Sequence, residues 1–246
     1  MNVLFDADSM IYAACYDWDN KEFYNDVRLA AQKYDDLYKT LVDKLVKLSY
    51  DLNRPWSLKS ITIFNGSKGN FRNYIGKKTY KANRTSAKTK IKHYPLVLNE
   101  LHDYVADKYS SVRGYGVETD DMVAKAWKQI SDEEGSDNVM IVSIDKDYKQ
   151  LPCILYNYYY IEPKLSYLTK DQALYNFYEQ MISGDQADNV NYIFGKGPKF
   201  CKKYFADCKS EYQYIKKTFL VFKERYKSKA REKYGECYNL LRLKTE

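Results

Sequence analysis

Val139-Met140-Ile141-Val142-Ser143-Ile144 is an almost unbroken apolar run, and Asp145-Lys146-Asp147 closes it. The run is too short to cross a membrane and too continuous for a strand with one wet face. It reads as a strand buried on both sides, with acids at its carboxyl end. The same pattern recurs outward along the chain. Val3-Leu4-Phe5 ends in Asp6-Ala7-Asp8, and Ile61-Thr62-Ile63-Phe64 ends in Asn65-Gly66. Shorter strands are expected near Val112, ahead of Gly114 and Gly116, and from Ile154 to Tyr156.

Helical spacing fills the intervals. Leu37, Leu41, Leu45 and Leu48 lie within a helix expected from about Val27 to Leu52, with Pro55 beyond its end. A second helix is expected from about Pro95 to Lys108. A third begins close to Thr119 and carries Met122, Val123, Ala126 and Trp127. Strands alternating with helices predict an α/β fold, a mainly parallel twisted sheet with helices on both faces and ligand sites at the carboxyl ends of the strands. From about Thr169 the chain reads as helical, broken at Gly184 and at Gly195-Lys196-Gly197-Pro198. The expected organisation is an α/β body over residues 1–168, a basic segment at 66–92, and a helical part over 169–246 packed on that body.

Charge is divided unevenly. Residues 66–92 hold nine Lys or Arg and no acid, and residues 196–246 carry a net +9. Against a total of +7, the remainder is left at −11. An acidic body suits divalent cations, while basic segments suit phosphates, although any one charge run is more often solvated surface. The 27 tyrosines suit half-buried positions and base stacking alike, so their abundance decides nothing. Cys15, Cys153, Cys201, Cys208 and Cys237 show no C-x-x-C spacing, and with only His93 and His102 a zinc site is poorly supported. Scattered thiols, an opening Met-Asn-Val without a basic leader, and no long apolar run predict a cytosolic protein with no membrane part.

The acids carry the chemistry. Asp6 and Asp8, then Asn65, then Asp145 and Asp147 follow three of the strands. Glu118, Asp120 and Asp121 open the helix after Gly116, and Asp185 and Asp188 sit in a loop. Singly, each has a plain structural explanation as a helix-start acid, cap or turn residue. Together on one rim they would repel one another unless cations neutralised them. Oxygen ligands without histidine are what magnesium prefers, and two such ions can activate water and stabilise the leaving oxygen of a phosphodiester. Two histidines without a nucleophile motif leave little room for Ser-His-Asp or Cys-His chemistry.

Gly116-Val117-Glu118-Thr119-Asp120-Asp121 resembles the G-V-E-A-D-D core of the flap endonuclease and 5′→3′ exonuclease family. Val142-Ser143-Ile144-Asp145-Lys146-Asp147, Gly184-Asp185-Gln186-Ala187-Asp188-Asn189 with Gly195-Lys196-Gly197, and Tyr80-Lys81-Ala82-Asn83-Arg84 resemble its other motifs, in family order. The short connection from Arg84 to Pro95 is most similar to the compact bacteriophage enzymes.

The resemblance implies a PIN-like 5′-nuclease fold with a helix-hairpin-helix-like element in the helical part. It implies two Mg2+ ions, with Mn2+ able to substitute, and K+ at the glycine hairpin. It places Asp120 between the metals, Glu118 beside the first, and Asp145 and Asp147 on the second. Asp6, Asp121, Asp185 and Asp188 would act directly or through water. Lys81 and Arg84 would reach the scissile phosphate. Arg72, Lys77, Gly195, Lys196, Gly197 and Lys199 would join them in holding DNA. The implied partner is a DNA duplex with a 5′ end or flap, or an RNA–DNA hybrid, met in phage replication or host DNA degradation.

Asn65 departs from the family, which usually has Asp there. An amide brings no charge, so the first metal is expected to bind more weakly and Asn65→Asp to lower the magnesium requirement. Two alternatives stand beside this reading. A PIN-type endoribonuclease would usually be shorter and lack the glycine hairpin, and a silent nucleic-acid binding module would have Asn65 as the mark of lost activity.

Overall fold

The computed structural model describes residues 1–51, 56–66, 69–75, 80–82, 94–158 and 163–246. The chain order is β1 (Asn2–Asp6), α1 (Asp8–Ala14), β2 (Tyr16–Asp17), β3 (Glu22–Phe23), α2 (Val27–Asp51), β4 (Ser60–Phe64), α3 (Tyr94–Tyr109), α4 (Thr119–Glu134), β5 (Val139–Val142), β6 (Ile154–Asn157), β7 (Lys164–Tyr167), α5 (Lys170–Ser183), α6 (Pro198–Tyr204), α7 (Glu211–Tyr226) and α8 (Ala230–Leu241).

Five strands form one sheet in the order β4-β1-β5-β6-β7. The first four run parallel, and β7 pairs antiparallel with β6. Strand β1 is interior to the sheet, and every one of its residues is buried. It pairs Asn2 with Ser60 on one side and with Val139 on the other. Alternation along the strands divides the core. Val3, Phe5, Ile63, Met140, Val142, Ile154 and Tyr156 face α1, α2 and α3, while Leu4, Phe64, Val139, Ile141 and Leu155 face Val123, Ala124 and Trp127 of α4. A third cluster, built by Phe177, Met181, Cys201, Phe205, Phe222, Cys237 and Leu240, holds α5 to α8 together and takes in Tyr80. Among the described residues no helix is long and apolar enough to cross a membrane.

The mainly parallel sheet and the helical C-terminal part agree with the sequence-based expectation. Three local features do not. Asp8 opens helix α1 directly after β1, so β1 leads straight into a helix. Val112 makes a single parallel bridge to Phe64 in place of a strand, since Gly114 follows too soon for more. Strand β7 was not expected, because Lys164-Leu165-Ser166-Tyr167 lies at the sheet edge and only half of it is covered. Of the five cysteines, Cys15, Cys153, Cys201 and Cys237 are buried as small core residues.

Candidate active site

Strand order reverses about β1, since the chain goes from β1 to β4 on one side and later to β5 on the other. The carboxyl ends of strands at such a point form a crevice. Here it is a cleft of about 360 Å3 lined by Asp6, Asp8, Ser9, Lys81, Glu118, Thr119, Asp120, Asp145, Asp147 and Asp188. Residues from five separated stretches of sequence thus meet at one rim.

Each acid is held by a specific donor. Asp6 Oδ2 accepts from the Tyr148 hydroxyl at 2.8 Å and the Ser143 hydroxyl at 3.3 Å. Asp8 bridges the cleft floor, accepting from the Gly66 amide at 2.7 Å and the Thr119 hydroxyl at 2.8 Å. Asp145 caps the 3-10 turn at Lys146–Gln150 by accepting from the Asp147 amide at 2.9 Å. Glu118 occupies the N-cap position of α4 but makes no capping bond. Its carboxylate turns to Arg72 Nη1 at 2.7 Å, to the Tyr80 hydroxyl at 2.9 Å and to Lys81 Nζ.

The Tyr80 hydroxyl also lies 2.7 Å from Asp188 Oδ2, and the Lys81 amide donates to the Asp188 carbonyl at 3.0 Å. Gln180 uses its two amide hydrogens on Asp147 at 2.7 Å and Asp185 at 3.0 Å. Lys146 pairs with Asp185 at 2.9 Å.

Burial and like charge set the proton affinities. Burial, then the charges of Asp8 and Asp145, push Asp6 up to about 7. Burial and the charge of Asp145 push Asp147 up to about 7. Burial and the Glu118 charge raise Asp120 well above the carboxylate range, and burial raises Asp145. For Glu118 burial works upward, but Lys81 and Arg72 outweigh it and hold the group below its ordinary value. Asp185 is likewise held low against burial, by Lys146. Carboxylates that resist ionisation side by side are a donor set suited to a hard divalent cation. Among the described residues no three acids, histidines or cysteines stand close enough together to grip an ion as they are. Arg72, Lys81, Tyr80, Tyr148 and Gln180 each donate to one or more of these acids.

The structure places several of the expected site residues away from the open cleft. Arg72, expected on DNA, is 1% exposed and enclosed by protein acceptors, so it has no face to offer a phosphate. Asp121, expected toward metal, is 3% exposed and gives both oxygens to Arg72, at 2.6 and 2.8 Å. Asn65 is 0% exposed and donates Nδ2 to the His102 carbonyl at 3.0 Å, while Asp8 occupies the cleft beside it. Asp185 is buried behind the rim with Lys146. At the glycine hairpin, Gly195 takes a left-handed φ of 78° and Gly197 caps α6. Lys196 pairs with Glu224 at 2.9 Å, and Lys199 is exposed. Lys77 and Arg84 lie outside the described residues.

The roles missed in the sequence belong to Tyr80, Tyr148 and Gln180. Tyr80 lies inside the motif Tyr80-Lys81-Ala82-Asn83-Arg84, where the charge is on Lys81 and Arg84. Nothing marked Tyr148 among the tyrosines or Gln180 on its helix.

The model of the 5′-3′ exonuclease N-terminal resolvase-like domain family matches residues 1–179. A 5′-3′ exonuclease of Buchnera aphidicola subsp. Schizaphis graminum is 34% identical over an alignment of 172 positions that covers 65% of this chain and 58% of that protein. The match thus spans little more than half of the curated relative. The bacteriophage T5 flap endonuclease in a pseudo-enzyme–product complex with DNA and metal ions aligns with a TM-score of 0.60 at 15% identity, over 98% of this chain and 99% of that one. T5 5′-exonuclease with divalent metal ions (zinc) bound aligns with a TM-score of 0.58 at 17% identity, over 99% of both chains. At such identities the structural likeness establishes the fold.

Proposed function

The chain belongs to the 5′-3′ exonuclease family, and from that premise we propose that it hydrolyses DNA phosphodiesters at a 5′ end or flap, using divalent metal ions. The observation that carries the reading is the cleft itself. Asp6, Asp8, Glu118, Asp120, Asp145, Asp147 and Asp188 line it, and among the described residues Lys81 is the one cation that lines it with them. We assign Glu118, Asp120, Asp145 and Asp147 as the residues that would hold two Mg2+ ions, with Mn2+ able to substitute, and Asp6, Asp8 and Asp188 as their near neighbours. When bound, such ions offset the carboxylate repulsion and polarise the phosphodiester for attack by water.

The chain's own groups do the rest. Lys81 is paired with Glu118 and stands 3.8 Å from Asp188. A phosphate entering the cleft competes for that ammonium, which then holds charge against the reacting group. Gly195, Gly197, Lys196 and Lys199 form the surface proposed for the duplex backbone, with K+ at the hairpin. Lys77 and Arg84 remain assigned to the phosphates from the sequence motif. The α/β body at 1–168 and helical part at 169–246 are proposed as the two working units, in phage replication or host DNA degradation.

A 5′-labelled DNA duplex, a DNA flap, an RNA–DNA hybrid and single-stranded RNA, each with Mg2+ and with a chelator, test the reading. Metal-dependent release from the DNA substrates is expected. Cutting of single-stranded RNA alone would replace it with the endoribonuclease reading, and binding without any cutting would replace it with the silent module.

A further inference from the structure

A guanidinium has five N–H donors, and Arg72 uses each of them inside the protein. Nε donates to the Leu240 carbonyl at 3.0 Å. Nη1 donates to Glu118 Oε2 at 2.7 Å and Asp121 Oδ2 at 2.6 Å. Nη2 donates to Asp121 Oδ1 at 2.8 Å and the Arg242 carbonyl at 3.1 Å. Two of the five acceptors are main-chain oxygens of the C-terminal segment, and one is a carboxylate oxygen of the cleft.

The segment 240–244 is fixed by two further residues. Gln150 donates to the Leu241 carbonyl and accepts from the Leu243 amide, both at 3.0 Å. Asp121 Oδ1 accepts from the Lys244 amide at 2.9 Å. Leu240 and Leu241 sit in the helical cluster, whereas Leu243 sits in the cluster between α4 and the sheet. The segment therefore crosses from one core to the other directly over the first turn of α4, where Glu118, Asp120 and Asp121 stand.

We infer that Arg72 is a positioning residue that couples docking of segment 240–244 to the placement of Glu118 for metal. Asp121 is its anchor. Its carboxylate fixes the plane of the guanidinium, and the plane fixes the direction of the Nη1 bond to Glu118. A bidentate fork transmits orientation in a way a lysine ammonium cannot. If the segment undocks, Arg72 loses two acceptors and Asp121 loses the Lys244 amide, so the fork is held less firmly and Glu118 Oε2 loses its fixed direction while Oε1 stays with Lys81. Coupling of this kind is reciprocal, so metal at Glu118 must in turn tighten the segment.

The inference rests on the reading of Glu118 as a metal ligand, and the test keeps the two apart. Mn2+ binding is measured on the DNA-free protein by paramagnetic resonance and by calorimetry. If the wild type binds no Mn2+ in the millimolar range, the metal reading fails and this inference with it. Given wild-type binding, Arg72→Lys, which keeps the charge and loses the fork, is expected to weaken Mn2+ about tenfold in the folded protein. Gln150→Ala, which loosens the segment without touching Arg72 or Glu118, is expected to weaken it about threefold. Wild-type affinity in either variant, with only the melting temperature lowered, would overturn the coupling and leave Arg72 a structural ion pair.

A measurement on the wild type alone guards against misfolded variants. Mg2+ is expected to slow hydrogen exchange at the Leu243 and Lys244 amides at least threefold more than at the amides of α7. Equal slowing in both places would likewise overturn it.

Discussion

The Tyr148 hydroxyl donates to Asp6 Oδ2 across 2.8 Å, from a ring that is fully buried between α4 and the sheet. The bond lowers the proton affinity of an acid that burial and its neighbours raise to about 7. Tyr148→Phe keeps the ring and removes the donor. The expected result is a cleavage rate reduced roughly fivefold at pH 7, recovering toward pH 9, because raising an acid near 7 by about one unit cuts its ionised fraction at pH 7 by about that factor. Stability should change by about 1.5 kcal/mol at most. A loss that is independent of pH would detach Tyr148 from the ionisation of Asp6.

Asp120 lies in the cleft two residues after Glu118 and next to Asp121, and its side chain accepts a local bond from the Asp121 amide. Asp120→Ala is expected to lower cleavage by more than about 100-fold, roughly 2.7 kcal/mol of barrier, with duplex binding in chelator unchanged. A variant that keeps more than about a tenth of the rate would remove Asp120 from the centre of the site.

Lys81 and Lys196 are both basic, but their settings differ. Lys81 is enclosed by acids and Lys196 pairs with the exposed Glu224. Lys81→Ala should reduce the rate about 100-fold while changing duplex affinity by less than about threefold. Lys196→Ala should weaken duplex binding and lower the salt slope by about one or less, since part of its charge is already matched. Equal loss of affinity in both would make Lys81 an ordinary backbone contact.

Asn65→Asp tests the position where the sequence departs from the family. The side chain is fully buried, and its Nδ2 donates to the His102 carbonyl. A carboxylate there would face that carbonyl without a proton to share. The expected outcome is a stability loss of about 1–3 kcal/mol and no fall in the magnesium concentration for half-maximal activity. A lower requirement, titrated beside wild type, would restore Asn65 to the metal site.

The raised acids give a stability prediction with a definite sign. Asp6 and Asp147 sit at about 7, and Asp120 and Asp145 are also raised. A carboxyl that ionises less readily in the folded chain than in the unfolded one makes folding less favourable as pH rises from the ordinary carboxylate value toward the folded one. His102 opposes this, because burial lowers its pKa and favours the neutral form. It is one group against four. In chelator, the melting temperature should therefore fall between pH 5 and pH 8, and Mg2+ should raise it more at pH 8 than at pH 5. A larger Mg2+ effect at pH 5 would contradict the assignment of these acids to cations.

Strand alternation and acid spacing made the parallel sheet and the rim legible in the sequence, because Val3-Leu4-Phe5-Asp6 and Val139 to Asp147 encode burial and exit in a few residues. What stayed hidden depends on contacts between distant parts. Arg72 looks like its basic neighbours until Asp121 and the Leu240 and Arg242 carbonyls enclose it. Asn65 looks like a weakened ligand until Asp8, the first residue of a helix the sequence did not announce, is seen in the cleft. Tyr80 and Tyr148 owe their roles to where their hydroxyls arrive, which no local pattern records.

Strand β1 precedes β4 and β5 in the chain and lies between them in the finished sheet, yet its partner β5 begins at Val139. At synthesis rates of roughly 5–20 residues per second, an apolar strand waits on the order of ten seconds for its second neighbour. During that interval Val3, Leu4 and Phe5 have an open edge, and the acids of the cleft are not yet all translated. A nascent chain is thus sticky before it is destructive. Its demand on chaperones should come early, and any power to cut nucleic acid only after Asp188 has left the ribosome.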